Sequence, residues 1–523
     1  MKQDEVPVDE HVAGSAGERK LVVLKQTILA AVLVILPLFY TRIPPLEDYP
    51  NHLARMFVLA QPDNPFLSRF YEVNWAPIPN LIMDLFVPPL VPLFGVYTAG
   101  RIFIGATLLL MMLGPMTLHR ALYGRWSAFP LVGGLFVYNG FLFVGLMNYM
   151  FGVGVAVFGL ALWVALSNIH PLWRATCSLA VCAVLYVSHL SALGLYAIAI
   201  SGFEAWRVWE NRPARPGRIL AAACAVGVPF LPFAWLLTHS PTWGLSREID
   251  WQPQGKLEAV SRFLSVYSDF IDLPFLILLV AAVIIAVRRG LVRMHPAGWV
   301  VAAGLTLAFI AMPRVAFGSF MADERLVVGI FFLTLGFVAT DLRKLEGQNA
   351  FIAICLVTIA IRVVDISVNW ANLSQPVLDL KDALRTMEPG SRLLVTQAED
   401  SIDGAVGGAL AHAPNLAVIE RSALVSRLFV VKGKQIVHAR PGYSEQVDTV
   451  DGDTPSISQI LIDARRQRSP DDEPRYWDNW PKRFDYLVTI GSSIDAPTDI
   501  DPEHLKVVRA GHGLVLYRVL KRL

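Results

Sequence analysis

The sequence predicts a polytopic α-helical membrane protein of about eleven transmembrane helices, followed by a C-terminal α/β domain outside the membrane. Three observations carry this. Of 523 residues, 54% are hydrophobic and only 17% charged, where soluble domains carry about 25% charged residues. The charge is uneven, at about 26% of residues 371–523 but about 13% of the first 370. Across that first part, apolar runs recur of the roughly 20 residues a helix needs to cross about 30 Å of hydrocarbon.

A net charge of +2 and a pI near 8.3 leave no basic surplus for neutralising many phosphates, which excludes a nucleic-acid binder. The four cysteines, Cys177, Cys182, Cys224 and Cys355, all lie in apolar stretches, so no disulfide framework or Cys-based zinc site is read.

In chain order, residues 1–20 carry no apolar core and read as a cytoplasmic N-terminal segment. Residues 21–40 lack a small-residue cleavage site and read as a retained anchor. Further spans are expected near 98–118, 127–146, 149–167, 175–189, 190–206, 218–239, 273–288, 297–313, 326–341 and 350–369. Lys and Arg are retained on the cytoplasmic side of short connections. With the N-terminus inside, the inside connections hold Arg120 and Arg125; Arg174; Arg207, Arg212, Arg215 and Arg218; Arg288, Arg289 and Arg293; and Arg343 and Lys344. The chain is therefore expected to be a multi-pass protein of the cell's inner (plasma) membrane, in contact with the lipid bilayer, with its C-terminal domain extracytoplasmic.

That parity depends on residues 79–96, which are apolar yet read as a juxtamembrane segment. Pro79, Pro88, Pro89 and Pro92 break a regular helix, and Asp84 sits among them. The first outside loop, 41–97, is rich in Pro, Asn and aromatic residues such as Tyr49, Phe70, Tyr71 and Trp75, which suit a membrane interface. A loop of that length is usually functional. The domain from 371 to 523 opens with a helix-like stretch, 377–387. Strand-like runs follow at 392–396, 416–419, 427–431 and 486–490, with a hairpin over 505–519 turning at Gly511-His512-Gly513. The glycines of 404–408 lack the spacing of a dinucleotide fingerprint and read as a loop.

The chemistry is expected in Pro44-Pro45-Leu46-Glu47-Asp48-Tyr49-Pro50-Asn51-His52-Leu53-Ala54-Arg55, immediately after the first span. A carboxylate partly desolvated at the membrane boundary can act as general base towards a hydroxyl. An adjacent acidic pair can alternatively hold a divalent cation such as Mg or Mn, or simply be a solvated loop with an N-cap acid. His52 and Arg55 would share a helix face if Pro50 opens a helix, and Arg suits a lipid phosphate. His189, at an outer turn, and Arg325, in Asp323-Glu324-Arg325, are further substrate-binding candidates on the same side. Asn139 and Asn148 read as helix glue, and Arg362 with Asp365 as an i, i+3 pair.

The pattern resembles the GT-C class of integral membrane glycosyltransferases. The resemblance lies in the first span, the long first loop opening on Glu47-Asp48, the many further spans and the outside C-terminal domain. The segment Leu93-Phe94-Gly95-Val96-Tyr97-Thr98-Ala99-Gly100-Arg101 is similar to the Phe-Gly…Ala-x-Arg stretch of such transferases. The resemblance implies an inverting hexosyl or pentosyl transfer from a polyprenyl-phosphate-sugar donor to a glycan or lipid acceptor of the cell envelope. Asp48 would be the base, and Glu47 would support it or share a metal. The acidic pair is followed by Tyr-Pro-Asn-His rather than set in a DxD spacing, and no Trp-Trp-Asp acceptor-peptide motif is present. Two other classes fit an apolar body with a polar tail: a transporter or flippase for lipid-linked saccharide, and a non-catalytic envelope assembly protein. A transporter would place its polar residues near the bilayer midplane, whereas those here cluster at the outer surface.

Overall fold

A computed structural model of the chain describes residues 10–212, 215–340, 348–399, 404–450, 452–465, 474–491, 501, 503–511 and 513–520. Arg343, Lys344 and His512, and residues 1–9 of the predicted cytoplasmic segment, lie outside the described residues. Among the described residues, seven helices are long and apolar enough to cross a membrane: Lys20–Tyr40, Val96–Tyr123, Met147–Ala165, Pro171–Ser188, Pro216–Thr238, Phe270–Arg288 and Phe351–Leu384. Leu190–Glu210, Pro296–Ala311 and Leu326–Leu335 are further helices of the same body.

The expected span over 127–146 is not one helix. It is a 3₁₀ segment, Phe129–Leu135, and a short helix, Gly140–Val144. The Asn139 side chain accepts from the backbone N–H groups of Phe141 and Leu142 at 3.0 and 3.2 Å, and so starts a new helix instead of continuing the old one. The segment packs against Val96–Tyr123 and Gln348–Leu384, so its irregular backbone meets protein, not lipid.

The connections still alternate between two ends, as the basic loops predict. At one end, the Tyr123 hydroxyl donates to Phe337 O at 2.7 Å and His295 N–H to the same oxygen at 2.9 Å. At the other, the Asn148 amide bridges to Asn80 and Met83. Leu81 N–H donates to Val187 O, and the Tyr149 hydroxyl to Arg325 O. The first loop, the His189 turn and the C-terminal region all share this second end, hereafter the loop end.

The 79–96 segment is a chain of short turns, Ile82–Phe86, Pro88–Leu90 and Val91–Phe94, broken where its prolines fall. The expected span at 350–369 and the expected helix at 377–387 are one helix of 37 residues, Gln348–Leu384. Arg362 and Asp365 do not pair with each other. Arg362 reaches Asp272 on a neighbouring helix at 3.1 Å, and Asp365 accepts from Ser268 Oγ at 2.6 Å. Neighbouring elements bring Asp272 and Ser268 within direct bonding distance, and only a longer-range charge interaction is left between Arg362 and Asp365.

The C-terminal region holds a five-stranded sheet in the order Leu424–Val425, Arg392–Gln397, Tyr486–Ile490, Leu514–Val519, Leu505–Gly511. Its first three strands are parallel, and the last two form the expected hairpin. Two expected strands are corrected. Residues 416–419 belong to the helix Leu416–Arg421, since a short apolar run buried on both sides has no telling periodicity. Residues 427–431 pair with no strand, because Asn51 of the first loop takes their backbone: its Nδ2 donates to Arg427 O and its Oδ1 accepts from Phe429 N–H. The glycine stretch at 404–408 is likewise largely helix, Ala405–Ala411.

First loop and C-terminal region are knitted together. Tyr71–Val73 pairs antiparallel with Val437–Ala439. The Tyr71 hydroxyl bonds to Ala423 O and Val425 N–H, and Asn64 Nδ2 donates to Ser422 Oγ. What reads in sequence as a loop and a separate tail is one layer over the loop end.

Candidate active site

The chain after the first helix is held extended by Pro44 and Pro45, then pinned by two backbone bonds. Glu47 N–H donates to Phe143 O at 2.8 Å, and Asp48 N–H to Val144 O at 3.0 Å. This close approach needs Gly145, whose φ is +97° and where a Cβ would stand 2.8 Å from Asp48 Cβ and 2.9 Å from its backbone nitrogen. Gly145→Ala is expected to push the acidic pair off this ledge. It should lower the melting temperature of the purified protein, read by thermal unfolding against wild type.

Pro50 opens the helix Tyr49–Ala60 as expected, with Asp48 at its N-cap. The Asp48 side chain makes no cap bond. Below it, Gly100 leaves room for the Tyr49 ring, which lies against its Cα, and Arg101 donates to Leu38 O at 3.0 Å. The Phe-Gly…Ala-x-Arg stretch thereby ties the second span to the first and seats the acidic loop on both.

Glu47 lines a cavity of about 470 Å³. The other walls are Gly140 and Phe143 of the broken segment, Arg262 and Glu258 of the amphipathic helix Gly255–Leu264, Tyr267, and Gly404 to Ala409 of the C-terminal region. Arg262, about a third exposed, is held by Glu324 at 3.0 Å. Burial pushes the Glu47 carboxyl above the usual range, and Arg262 pulls it back only in part. Raised in the folded state, this group contributes stability that is present below its ordinary value of 4.5 and lost as pH rises through the folded value. Glu47→Gln is therefore expected to raise the melting temperature at neutral pH, with the difference from wild type closing below about pH 4. Thermal unfolding across a pH series checks this.

Asp48 is turned towards the C-terminal region, its Oδ1 3.4 Å from His412 Nε2. His52 lies buried nearby, edge-on to Phe429, and burial with Arg55 alongside keeps its pKa well below the usual imidazole value. Arg55 offers no open face to a phosphate: it forms a fully buried, two-bonded pair with Asp84, Nε to Oδ1 at 2.8 Å and Nη2 to Oδ2 at 2.9 Å. His189 and Arg325 do come together, at 2.8 Å between Nε2 and Nη1, beside the Tyr149 ring. Arg325 is close enough to Asp48 for their charges to interact. Its neighbours Asp323 and Glu324 are buried and matched by Lys256, and by Arg262 with Arg314, respectively.

Among the described residues, no three His, Cys, Asp or Glu side chains gather as a metal site. The residues missed in sequence are Asn51, Arg262 and His412. In sequence Arg262 stands among charges of both signs over residues 247–272, with no motif to mark it. His412 lies 361 residues from Asn51, its hydrogen-bond partner, and no periodicity links them.

A helical membrane body, an acidic pair on a long first loop, and a C-terminal layer closing a cavity beside that pair are an arrangement shared, as a fold, with a solved GT-C structure. One solved structure of this fold is ArnT from Cupriavidus metallidurans bound to undecaprenyl phosphate. It matches with a TM-score of 0.51 at 12% sequence identity, over 95% of this chain and 97% of that one. No family model and no curated protein matches the sequence.

Proposed function

We propose that this chain transfers a sugar from a polyprenyl-phosphate carrier to a glycan or lipid acceptor of the cell envelope, with the loop end facing away from the cytoplasm. The observation that supports this most is the cavity itself. It places a carboxylate with a raised pKa, Glu47, and a guanidinium, Arg262, on shared walls at the mouth of a GT-C fold. ArnT, of the same fold, binds undecaprenyl phosphate.

In this reading Asp48 takes the proton of the acceptor hydroxyl as that oxygen forms a bond to the anomeric carbon. The anomeric carbon–phosphate oxygen bond breaks on the opposite face, and its electron pair leaves with the polyprenyl phosphate. Arg262, held in place by Glu324, offsets the charge growing on the departing phosphate, since a preorganised cation costs no reorganisation. Arg325 and His189 form a second polar group behind Asp48. Arg55 and His52 support the loop from beneath.

Because Glu47 lines the cavity, exchange of the two carboxylates' roles has a specific observation behind it. The test is in vitro transfer from a panel of polyprenyl-phosphate hexoses and pentoses, comparing wild type with Asp48→Asn, Glu47→Gln and Arg262→Ala. Loss in Asp48→Asn with partial activity in Glu47→Gln supports the assignment, and the opposite order transfers the base role to Glu47. Full activity in both, or no turnover of any donor by wild type, overturns the reading.

A further inference from the structure

The C-terminal layer does more than roof the cavity. His412 follows the helix Ala405–Ala411, and its two ring nitrogens face two residues of the first loop. Asn51 Nδ2 lies 3.2 Å from Nδ1, and Asp48 Oδ1 lies 3.4 Å from Nε2. An amide nitrogen can only donate, so Nδ1 is the acceptor and the ring proton sits on Nε2, facing Asp48. Asn51 is itself immobilised, donating to Arg427 O at 3.0 Å and accepting from Phe429 N–H at 2.8 Å. The Phe429 ring packs edge-on against His412, with centroids 4.9 Å apart.

We propose that His412 is a positioning residue, contributed by the C-terminal region, that orients the Asp48 carboxylate through its Nε2–H in a tautomer set by Asn51. This rests on the proposed transfer function for its kinetic consequence, but the contact stands on geometry alone. Burial and the neighbouring Arg427 hold the imidazole pKa down to about 3, so the ring is neutral at physiological pH. The neutral ring presents its Nε2–H to the carboxylate, with Nε2 3.4 Å from Asp48 Oδ1, without neutralising it. An imidazolium would instead compete with the acceptor hydroxyl for the base.

The consequence is a dependence of the membrane-anchored carboxylate on a segment more than 350 residues later in the chain. A well-folded membrane body with a displaced C-terminal layer would retain its acidic pair but not its aim. Small displacements of a reacting group cost up to about 100-fold in rate.

The test uses the full-length protein in detergent or nanodiscs with a panel of undecaprenyl-phosphate hexoses and pentoses. His412→Ala is expected to lower kcat by about 10–100-fold with donor KM within about twofold. His412→Gln, whose amide N–H can occupy the Nε2 position, is expected to recover most of the loss. A purely structural residue would lower yield and melting temperature with no rescue by Gln. Unchanged kcat in His412→Ala, or equal loss in the Gln variant, overturns the proposal. A cycle of melting temperatures for Asp48→Asn, His412→Ala and the double variant reads the contact without any turnover. Non-additive shifts support it, and additive shifts refute it. If wild type turns over no donor, the transfer reading fails and this cycle alone decides whether Asp48 and His412 are coupled.

Discussion

Asp48→Asn is expected to lower sugar transfer by about 10²–10⁴-fold, the usual worth of a positioned general base, while leaving the folded protein intact. The amide is isosteric with the carboxylate, and the loop is anchored through its backbone. Glu47 and Asp48 are held by their N–H groups on Phe143 O and Val144 O, and the helix that follows draws no cap bond from Asp48. The loss should therefore fall on kcat, with donor binding near wild type. Single-turnover measurements with a polyprenyl-phosphate sugar separate the two. Unaltered transfer would remove Asp48 from the chemistry.

Arg55→Ala is expected to produce the largest loss of stability, about 3–5 kcal/mol, because it leaves the Asp84 carboxylate buried without its partner. Both side chains are almost completely inaccessible, and the pair is bidentate. It links the helix Tyr49–Ala60 to the short turn Ile82–Phe86, which are otherwise joined by apolar contacts. Replacing both residues by apolar ones of similar size, Arg55→Met with Asp84→Leu, is expected to cost much less, since breaking a buried pair is worse than removing it. Thermal unfolding of the two variants checks the order. A single variant as stable as wild type would show that the pair is not what holds the loop in place.

The membrane body was legible because lipid imposes a one-dimensional code. Apolar length marks spans and basic connections mark one end, and the contacts that gather Tyr123, His295 and Phe337 at one end and Asn80, Asn148 and Val187 at the other follow that alternation. The code failed at 127–146, where composition suits a span but the Asn139 cap interrupts it. Pro50 was legible as a helix start because its ring fixes φ and its missing N–H costs nothing there. Arg55 was not, because its partner Asp84 sits 29 residues away in a segment whose own path depends on four prolines.

The same division runs through the site. Local chemistry along the chain was enough to single out Glu47 and Asp48, since two carboxylates beside a membrane span carry a desolvation cost that ordinary loops avoid. Which atoms face them was decided only by folding. The cavity wall at Arg262, the imidazole of His412 and the backbone ledge at Phe143 and Val144 come from three distant parts of the chain. Hydrophobic periodicity records which face of an element is buried, not which element buries it. Hydrogen bonds and ion pairs reach only about 3 Å, so partners distant in sequence meet only once packing has brought their backbones together.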